Sequence, residues 1–258
     1  MLEEDHTSLD RVADLAAALR GASDVVVLTG AGISTESGIP DFRGPNGIWT
    51  KNPRAERMAT LQYYMGDRQV RIDTWKARLE HPGWTAKPNP GHIALAELGR
   101  KRKVTTLVTQ NVDGLHQLAG TPPDQLIEIH GTMREVMCMS CNERAPMERA
   151  LERVRAGEED PPCRTCGGIL KSATISFGQN LVPDDLHRAQ QAASSCDVML
   201  AVGTSLAVYP VAYLPQIALD NGARLGIVNA EPTPLDGLAS WIFREPIGEI
   251  LPNVVAQV

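Results

Sequence analysis

The run Asp24-Val25-Val26-Val27-Leu28-Thr29-Gly30-Ala31-Gly32-Ile33-Ser34 decides the fold of this chain. Four successive apolar residues, three of them β-branched, suit a strand buried on both faces, as strands of parallel sheets are. Glycines directly after such a strand let the backbone turn tightly and approach a phosphate. Working outward, Leu9, Val12, Ala13, Ala16 and Leu19 share one face of a helix over residues 8–20, with Ser8 as its N-cap. Further short apolar runs follow at 104–109, 173–177, 198–202 and 225–228, with helical stretches at 91–102, 184–195 and 211–221 between them. Strand and helix in alternation predict an α/β fold, a Rossmann-like doubly wound parallel sheet.

Two stretches break the alternation. Residues 43–90 are rich in Gly, Pro, Trp, Arg and Lys and carry one helix near 67–80, too long a span for an ordinary connection. Residues 133–171 hold the pairs Cys138/Cys141 and Cys163/Cys166 and the polar helix Met147–Arg155. Two Cys-x-x-Cys turns supply four thiolates to one tetrahedral Zn²⁺ and leave no position for water, so the metal is expected to be structural. The predicted division is a discontinuous Rossmann-like domain of residues 1–42, 91–132 and 172–258, with 43–90 and 133–171 forming a smaller zinc-binding domain.

A net charge of −6 argues against specific nucleic-acid binding, which needs clustered Lys and Arg. The acidic start Met1-Leu2-Glu3-Glu4-Asp5-His6 has no apolar core, so neither a secretory signal nor a membrane partner is expected. Zinc-spaced thiols with Cys196 left over suit a reducing, cytoplasmic setting, and the apolar neighbours of Cys196 favour a buried structural thiol.

The chemistry is expected where strands end. Gly30-Ala31-Gly32 with Ser34 and Thr35 suits phosphate oxygens, although tight glycine turns also have purely structural uses. A dehydrogenase fingerprint would need a small residue at position 35 and an acidic one about twenty positions on. The chain continues instead as Gly38-Ile39-Pro40-Asp41-Phe42-Arg43-Gly44. Gln110, Asn111 and Asp113 follow the strand 104–109 and point to a ligand crevice or equally to a turn. His130 follows Leu126-Ile127-Glu128-Ile129; by itself it reads as a structural histidine or a general base, and His116 lies as near the second strand. Gly203-Thr204-Ser205 and Asn229-Ala230-Glu231 end two later strands on the same sheet edge, suited to phosphate and ribose.

Taken in order, Gly30–Ser34, Gly38–Gly44, Thr109-Gln110-Asn111-Val112-Asp113-Gly114-Leu115-His116, His130-Gly131, the four cysteines, Phe177-Gly178, Gly203-Thr204-Ser205 and Val228-Asn229 resemble the sirtuin family. These are NAD-dependent protein lysine deacylases, and the resemblance runs from about residue 22 to 250. It implies NAD as co-substrate, structural zinc, and acyl-lysine proteins or peptides as substrates. The acyl group, acetyl by this reading, passes to the ribose of NAD, giving free lysine, nicotinamide and O-acyl-ADP-ribose. The resemblance makes His130 the general base, with Asn111 and Asp113 beside it in catalysis. It assigns NAD contacts to Gly30, Ala31, Gly32, Ser34 and Thr35, and to Asp41, Phe42, Arg43 and Trp49. Further contacts fall on Gln110, Asn111, Val112 and Asp113, on Gly203, Thr204 and Ser205, and on Asn229, Ala230, Glu231 and Ile247. Phe177, Gly178 and Val208 would flank an extended substrate peptide.

Relatives that prefer succinyl- or malonyl-lysine carry Tyr-x-x-Arg where this chain has Trp75-Lys76-Ala77-Arg78. Trp75 and Arg78 are therefore candidate substrate residues, Arg78 by bidentate binding of a carboxylate, or else an ordinary arginine beside a packed tryptophan. Ile175-Ser176-Phe177-Gly178-Gln179 replaces the commoner Phe-Phe-Gly-Glu. Two other readings use the same residues: a mono-ADP-ribosyltransferase, and a zinc module that holds NAD or ADP-ribose without turnover.

Overall fold

The computed structural model describes residues 8–42, 44, 47–51 and 55–258. Its strands are β1 (Val25–Thr29), β2 (Val104–Thr109), β3 (Leu126–Glu128), β4 (Gly131–Cys138), β5 (Arg144–Pro146), β6 (Leu170–Thr174), β7 (Val198–Val202), β8 (Arg224–Val228) and β9 (Trp241–Phe243). The helices are α1 (Ser8–Gly21), α2 (Ile48–Lys51), α3 (Ala55–Met58), α4 (Leu61–Gly66), α5 (Arg68–Leu79), α6 (Pro90–Arg100), α7 (Leu115–Leu118), α8 (Met147–Arg155), α9 (Pro183–Ser195), α10 (Leu214–Asp220) and α11 (Ile247–Val255). None is long and apolar enough to cross a membrane.

β1 is buried along its whole length, as its unbroken apolar run requires. It pairs in parallel with β2 on one side and β7 on the other, in the order β3-β2-β1-β7-β8-β9. Helices cover both faces. Leu15 and Leu19 of α1, Leu95 and Leu98 of α6 and Leu251 and Val254 of α11 pack on one. Ala189 and Ala193 of α9 with Leu214 and Ala218 of α10 pack on the other. Each fully buried leucine or valine contributes roughly 1.5–3 kcal/mol. The chain proceeds from β1 to β2 and β3, then returns to β7 across β1, so the direction of winding reverses between β1 and β7. Crevices at such a switch point, at the carboxyl ends of the strands, are where open α/β sheets bind ligands.

Residues 173–177 are not a strand of this sheet. Ala173 and Thr174 end β6, which runs antiparallel to β4 in a second sheet ordered β5-β4-β6. A short apolar run carries no mark of which sheet it joins, and here β4 offers the edge. β6 also spans the expected boundary at 171/172. A separate core of Trp75, Val136, Met147, Leu151 and Leu170 fills the space between α5, α8 and this small sheet. The helix expected at 211–221 begins as a 3₁₀ turn, Val211–Tyr213, with Pro210 before it and Pro215 in the first turn of α10. The helix near 67–80 is α5, capped by Asp67, whose carboxylate accepts the Gln69 amide.

Candidate active site

Four strand ends meet at the switch point. The Gly30 amide donates to Val202 O at 3.0 Å and the Gly32 amide to Gly203 O at 2.8 Å. Gln110 N donates to Thr29 O, Gly203 N to Val228 O, and Asn229 N to Phe243 O, so each loop is tied to the neighbouring strand. Glycine is required at Gly203: its φ is +60°, and a Cβ there would lie 2.3 Å from Ile33 N. At Gly30 a Cβ would lie 2.7 Å from Gly203 O. The two glycine turns are thus pressed against each other, backbone to backbone.

Side chains complete the join. Asn111 Nδ2 donates to Gly30 O at 3.0 Å and to Ser34 Oγ at 3.1 Å, and Ser34 Oγ donates to Asp113 Oδ2 at 2.7 Å. Asp113 Oδ1 accepts the Leu115 amide, which fixes the carboxylate at the start of α7. Gln110 Nε2 donates to Thr204 Oγ1 at 2.9 Å. Ser34, Asn111, Asp113, Thr204 and Asn229 are all buried.

His130 is partly buried, one residue before β4, and its Nδ1 lies 3.1 Å from Gln110 O. A carbonyl can only accept, so Nδ1 carries the proton and donates, leaving the Nε2 lone pair free. Burial pushes the His130 pKa below the usual histidine value, only partly offset by the Gln110 carbonyl. The ring is therefore neutral at pH 7, as a proton acceptor must be.

Thr35 Oγ1 donates back to Gly32 O, and Asp41 Oδ1 accepts the Gly44 amide. Phe42 is exposed, 4.9 Å from the Trp49 ring, and Trp49 lies 5.3 Å from Phe177. Arg43 lies outside the described residues. Val112 O accepts the Met133 amide. Asn229 Nδ2 turns onto Glu231 O at 2.7 Å, and Ile247 begins α11. Ala31 is half-buried, while Ser205, Ala230 and Glu231 are exposed. The amides of Thr204, Ser205, Ala230 and Glu231 donate to no group of the chain among the described residues. A crevice edged by unused amides and floored by glycine turns fits the phosphates and riboses of a dinucleotide.

Trp75 and Arg78 sit differently from a substrate surface. Trp75 has no exposed area and packs in the small core. Arg78 lies over its ring at 4.6 Å and donates to Tyr64 Oη at 3.1 Å and Ser172 Oγ at 3.0 Å. Trp75 is thus a wall residue, and much of the Arg78 guanidinium is already engaged. Phe177 is exposed and pairs by backbone with Ala59 and Leu61, through 2.9 Å bonds on either side. Gly178 has φ +81° with open space around its Cα. Val208 is half-buried.

Behind the pocket stand groups that support it, of which the sequence reading singles out His116 alone. Asn89 Nδ2 donates to Ile33 O and Ser37 Oγ while its Oδ1 caps α6, bracing the glycine turn. His92 and His116 are fully buried with ring centroids 4.9 Å apart, and His116 Nε2 lies 3.0 Å from Thr29 Oγ1. Burial holds their pKa values down to about 4 and about 3. Arg134 Nη2 donates to Asp113 O at 2.8 Å. The stretch Asn89-Pro90-Gly91-His92 was a visible signal for the first two; nothing in the sequence marked Arg134.

The four cysteines converge: all four Sγ atoms lie within 4.8 Å of one another. Cys138 and Cys166 are 3.5 Å apart and Cys141 and Cys163 3.8 Å, far beyond disulfide length. Sulfurs at about 2.3 Å from a tetrahedral zinc stand about 3.8 Å apart, so the cluster fits that ion.

A sequence profile of the Sir2 family matches residues 30–210. The chain is 50% identical over 237 residues to NAD-dependent protein deacetylase 2 of Streptomyces coelicolor, covering 92% of this chain and 98% of that protein. It is 43% identical over 232 residues to an NAD-dependent protein deacetylase of Thermodesulfovibrio yellowstonii, covering 89% and 88%. A solved complex of Sir2 with p53 peptide and NAD⁺ superimposes with TM-score 0.85 at 33% identity, over 95% of this chain and 97% of that one. Another, with deacetylated p53 peptide and 3'-O-acetyl-ADP-ribose, gives TM-score 0.87 at 34% identity over the same shares. With a match of this extent and a relative at this identity, the chain belongs to the Sir2 family.

Proposed function

We propose that this chain is an NAD-dependent protein lysine deacetylase that yields free lysine, nicotinamide and O-acetyl-ADP-ribose. One observation carries the reading: His130 donates Nδ1–H to Gln110 O and keeps the Nε2 lone pair, next to two glycine turns. When bound, NAD supplies an electrophilic ribose carbon from which nicotinamide leaves and to which the acyl oxygen adds. The chain's part is to hold, orient, exclude water and move a proton. The amides of Thr204, Ser205, Ala230 and Glu231, with Gly30–Thr35 and Gly203, bind phosphates and the adenosine ribose. Gln110, Asn111, Val112 and Asp113 hold the nicotinamide side, with Asn111 and Asp113 kept in place by Ser34 and Gln110 by Thr204. His130 Nε2 accepts the proton of a ribose hydroxyl. Phe42, with Trp49 and Phe177 behind it, keeps water off the activated carbon.

The acyl-lysine peptide adds as a strand beside Phe177-Gly178 and Val208, its carbonyls accepting from the amides of Gly178 and Val208, both free among the described residues. Acetyl suits this site because Arg78 already donates to Tyr64 and Ser172. The deacetylase names of the Streptomyces and Thermodesulfovibrio relatives support the same acyl group. Zinc, held by Cys138, Cys141, Cys163 and Cys166, fixes the small sheet and takes no part in the reaction. Thiol ligands of this kind suit the cytoplasm.

The test is incubation of the protein with NAD and acetyl-lysine peptide, with products read by mass spectrometry. O-Acetyl-ADP-ribose released with nicotinamide is the expected result. ADP-ribose attached to protein would instead place the chain among ADP-ribosyltransferases, and nicotinamide release independent of acyl peptide would sink the reading.

A further inference from the structure

Tyrosine and tryptophan rings in this chain serve as seats for arginine. Tyr63, Tyr64, Trp75, Trp84 and Trp241 each carry a guanidinium 3.9–5.9 Å from the ring centroid. Trp49 lies between Phe42 and Phe177. Tyr209 and Tyr213 differ. Their rings are 4.6 Å apart and tilted 57° to each other, and they are 60% and 55% exposed. Among the described residues no cation lies over either ring. In the sequence, no Lys, Arg or His occurs between Arg188 and Arg224, a span that contains Asp197 and Asp220. Asp220 is the last residue of α10, which follows Tyr213, and its carboxylate accepts Gln216 Nε2 at 2.8 Å.

The pair also adjoins a turn with free amides, while the Val208 carbonyl accepts the Ala212 amide. The amides of Ala207, Val208 and Tyr209 donate to no group of the chain among the described residues. An extended peptide bound to these amides presents alternate side chains to either side of its backbone, and the side chain neighbouring Tyr209 falls beside the ring wedge. Two tilted π faces match a cation better than an anion or an aliphatic chain.

We infer that Tyr209 and Tyr213 form a subsite for a lysine or arginine of the substrate peptide, outside the acylated position. The inference rests on the deacetylase reading, since it places the peptide against residues 207–209. A guanidinium lies flat on one ring and edge-on to the other; a lysine ammonium binds the same wedge as a point charge. The subsite makes the enzyme read sequence around the acyl-lysine.

Its test uses acetyl-lysine peptides that carry a single arginine at each position flanking the acetyl-lysine in turn, each matched with a citrulline version. Both Kd, by calorimetric titration, and kcat/KM are measured for each pair. At one position the arginine peptide should exceed the citrulline peptide by about two- to five-fold, the range for an exposed cation–π contact. The ratio should fall to about one in Tyr213→Leu and persist in Tyr213→Phe, which keeps the ring. Tyr213 is exposed, so neither variant disturbs the core. A ratio that survives Tyr213→Leu reflects only the overall charge of −6 and overturns the inference, as does a ratio near one at every position. Absence of turnover with all peptides would sink the deacetylase reading, while the paired Kd values would still decide the subsite.

Discussion

Ser34 Oγ accepts from Asn111 Nδ2 at 3.1 Å and donates to Asp113 Oδ2 at 2.7 Å, joining two loops across 77 residues of chain. One hydroxyl proton settles the direction of both bonds. The amide of Asn111 and the carboxylate of Asp113 are thereby held at a fixed separation, behind the crevice that four strand ends enclose.

Removing that hydroxyl leaves two buried polar groups short of a partner. Ser34→Ala is expected to destabilise the fold by about 1–3 kcal/mol in urea unfolding. KM for NAD should rise more than kcat falls, because the loss is one of positioning. Ser34→Ala and Asn111→Ala together should cost less than the sum of the two, by more than about 0.5 kcal/mol.

His130→Ala should lower kcat by about 10²- to 10⁴-fold, the worth of a positioned general base. Near-native circular dichroism, zinc content and ADP-ribose binding are expected with it. Retained turnover would show that another group takes the proton.

The rate should depend on pH through the same ring. Burial lowers the His130 pKa, so the neutral base persists below the usual histidine range. The acid limb of kcat/KM is expected to fall with an apparent pKa below 6.5. An acid limb centred above that value would mean that the imidazolium is favoured in the folded protein.

His92 and His116 govern stability in acid. Their folded-state pKa values, about 4 and about 3, lie below the model-peptide value of 6.5. The unfolded chain therefore takes up protons first as pH falls, and the neutral pair's contribution, complete above 6.5, drains away toward pH 3. Each pH unit in that window costs up to about 1.36 kcal/mol per histidine. Unfolding midpoints measured from pH 7 to 4 should drop steeply, and His116→Gln should flatten the slope.

Gly203→Ala and Gly38→Ala separate steric demand from conformational preference. Both glycines have positive φ, but a Cβ on Gly203 meets Ile33 N at 2.3 Å while one on Gly38 meets nothing. Gly38→Ala should cost about 1–2 kcal/mol, the left-handed penalty alone. Gly203→Ala should cost more than that and raise KM for NAD sharply, because the two glycine turns must part.

The parts of the fold legible in the sequence were those with one-dimensional signatures. The apolar run of β1, the glycine turn and the Cys-x-x-Cys pairs each carry their own geometry. Residues 173–177 were misplaced because an apolar run of that length pairs wherever an edge is open, and β4 supplied it. Edge strands β3 and β9 are only three residues long, too short for periodicity to show. The candidate site was legible as residue types at strand ends. Its supports were not: Arg134 bonds a backbone carbonyl of Asp113, and such a bond leaves no pattern in the sequence. Trp75 was drawn to the substrate by its spacing from Arg78, whereas burial alone decides its place.

The strand order has a consequence for how the chain comes to be folded. β1 emerges early, yet one of its two partners, β7, begins at Val198, after the whole small sheet has been made. Until then one edge of a fully buried strand stands open, and the turn at Gly30 lacks the turn at Gly203 that it packs against. Long-range parallel pairing of this kind is slow and exposes aggregation-prone edges. A nascent chain stopped at residue 197 should be caught by chaperones or precipitate, while one extended through β8 should become protease-resistant. Nucleotide binding is thus expected only late in synthesis, after the turn at Gly203 and then the loop of Asn229, Ala230 and Glu231 have joined the turn at Gly30.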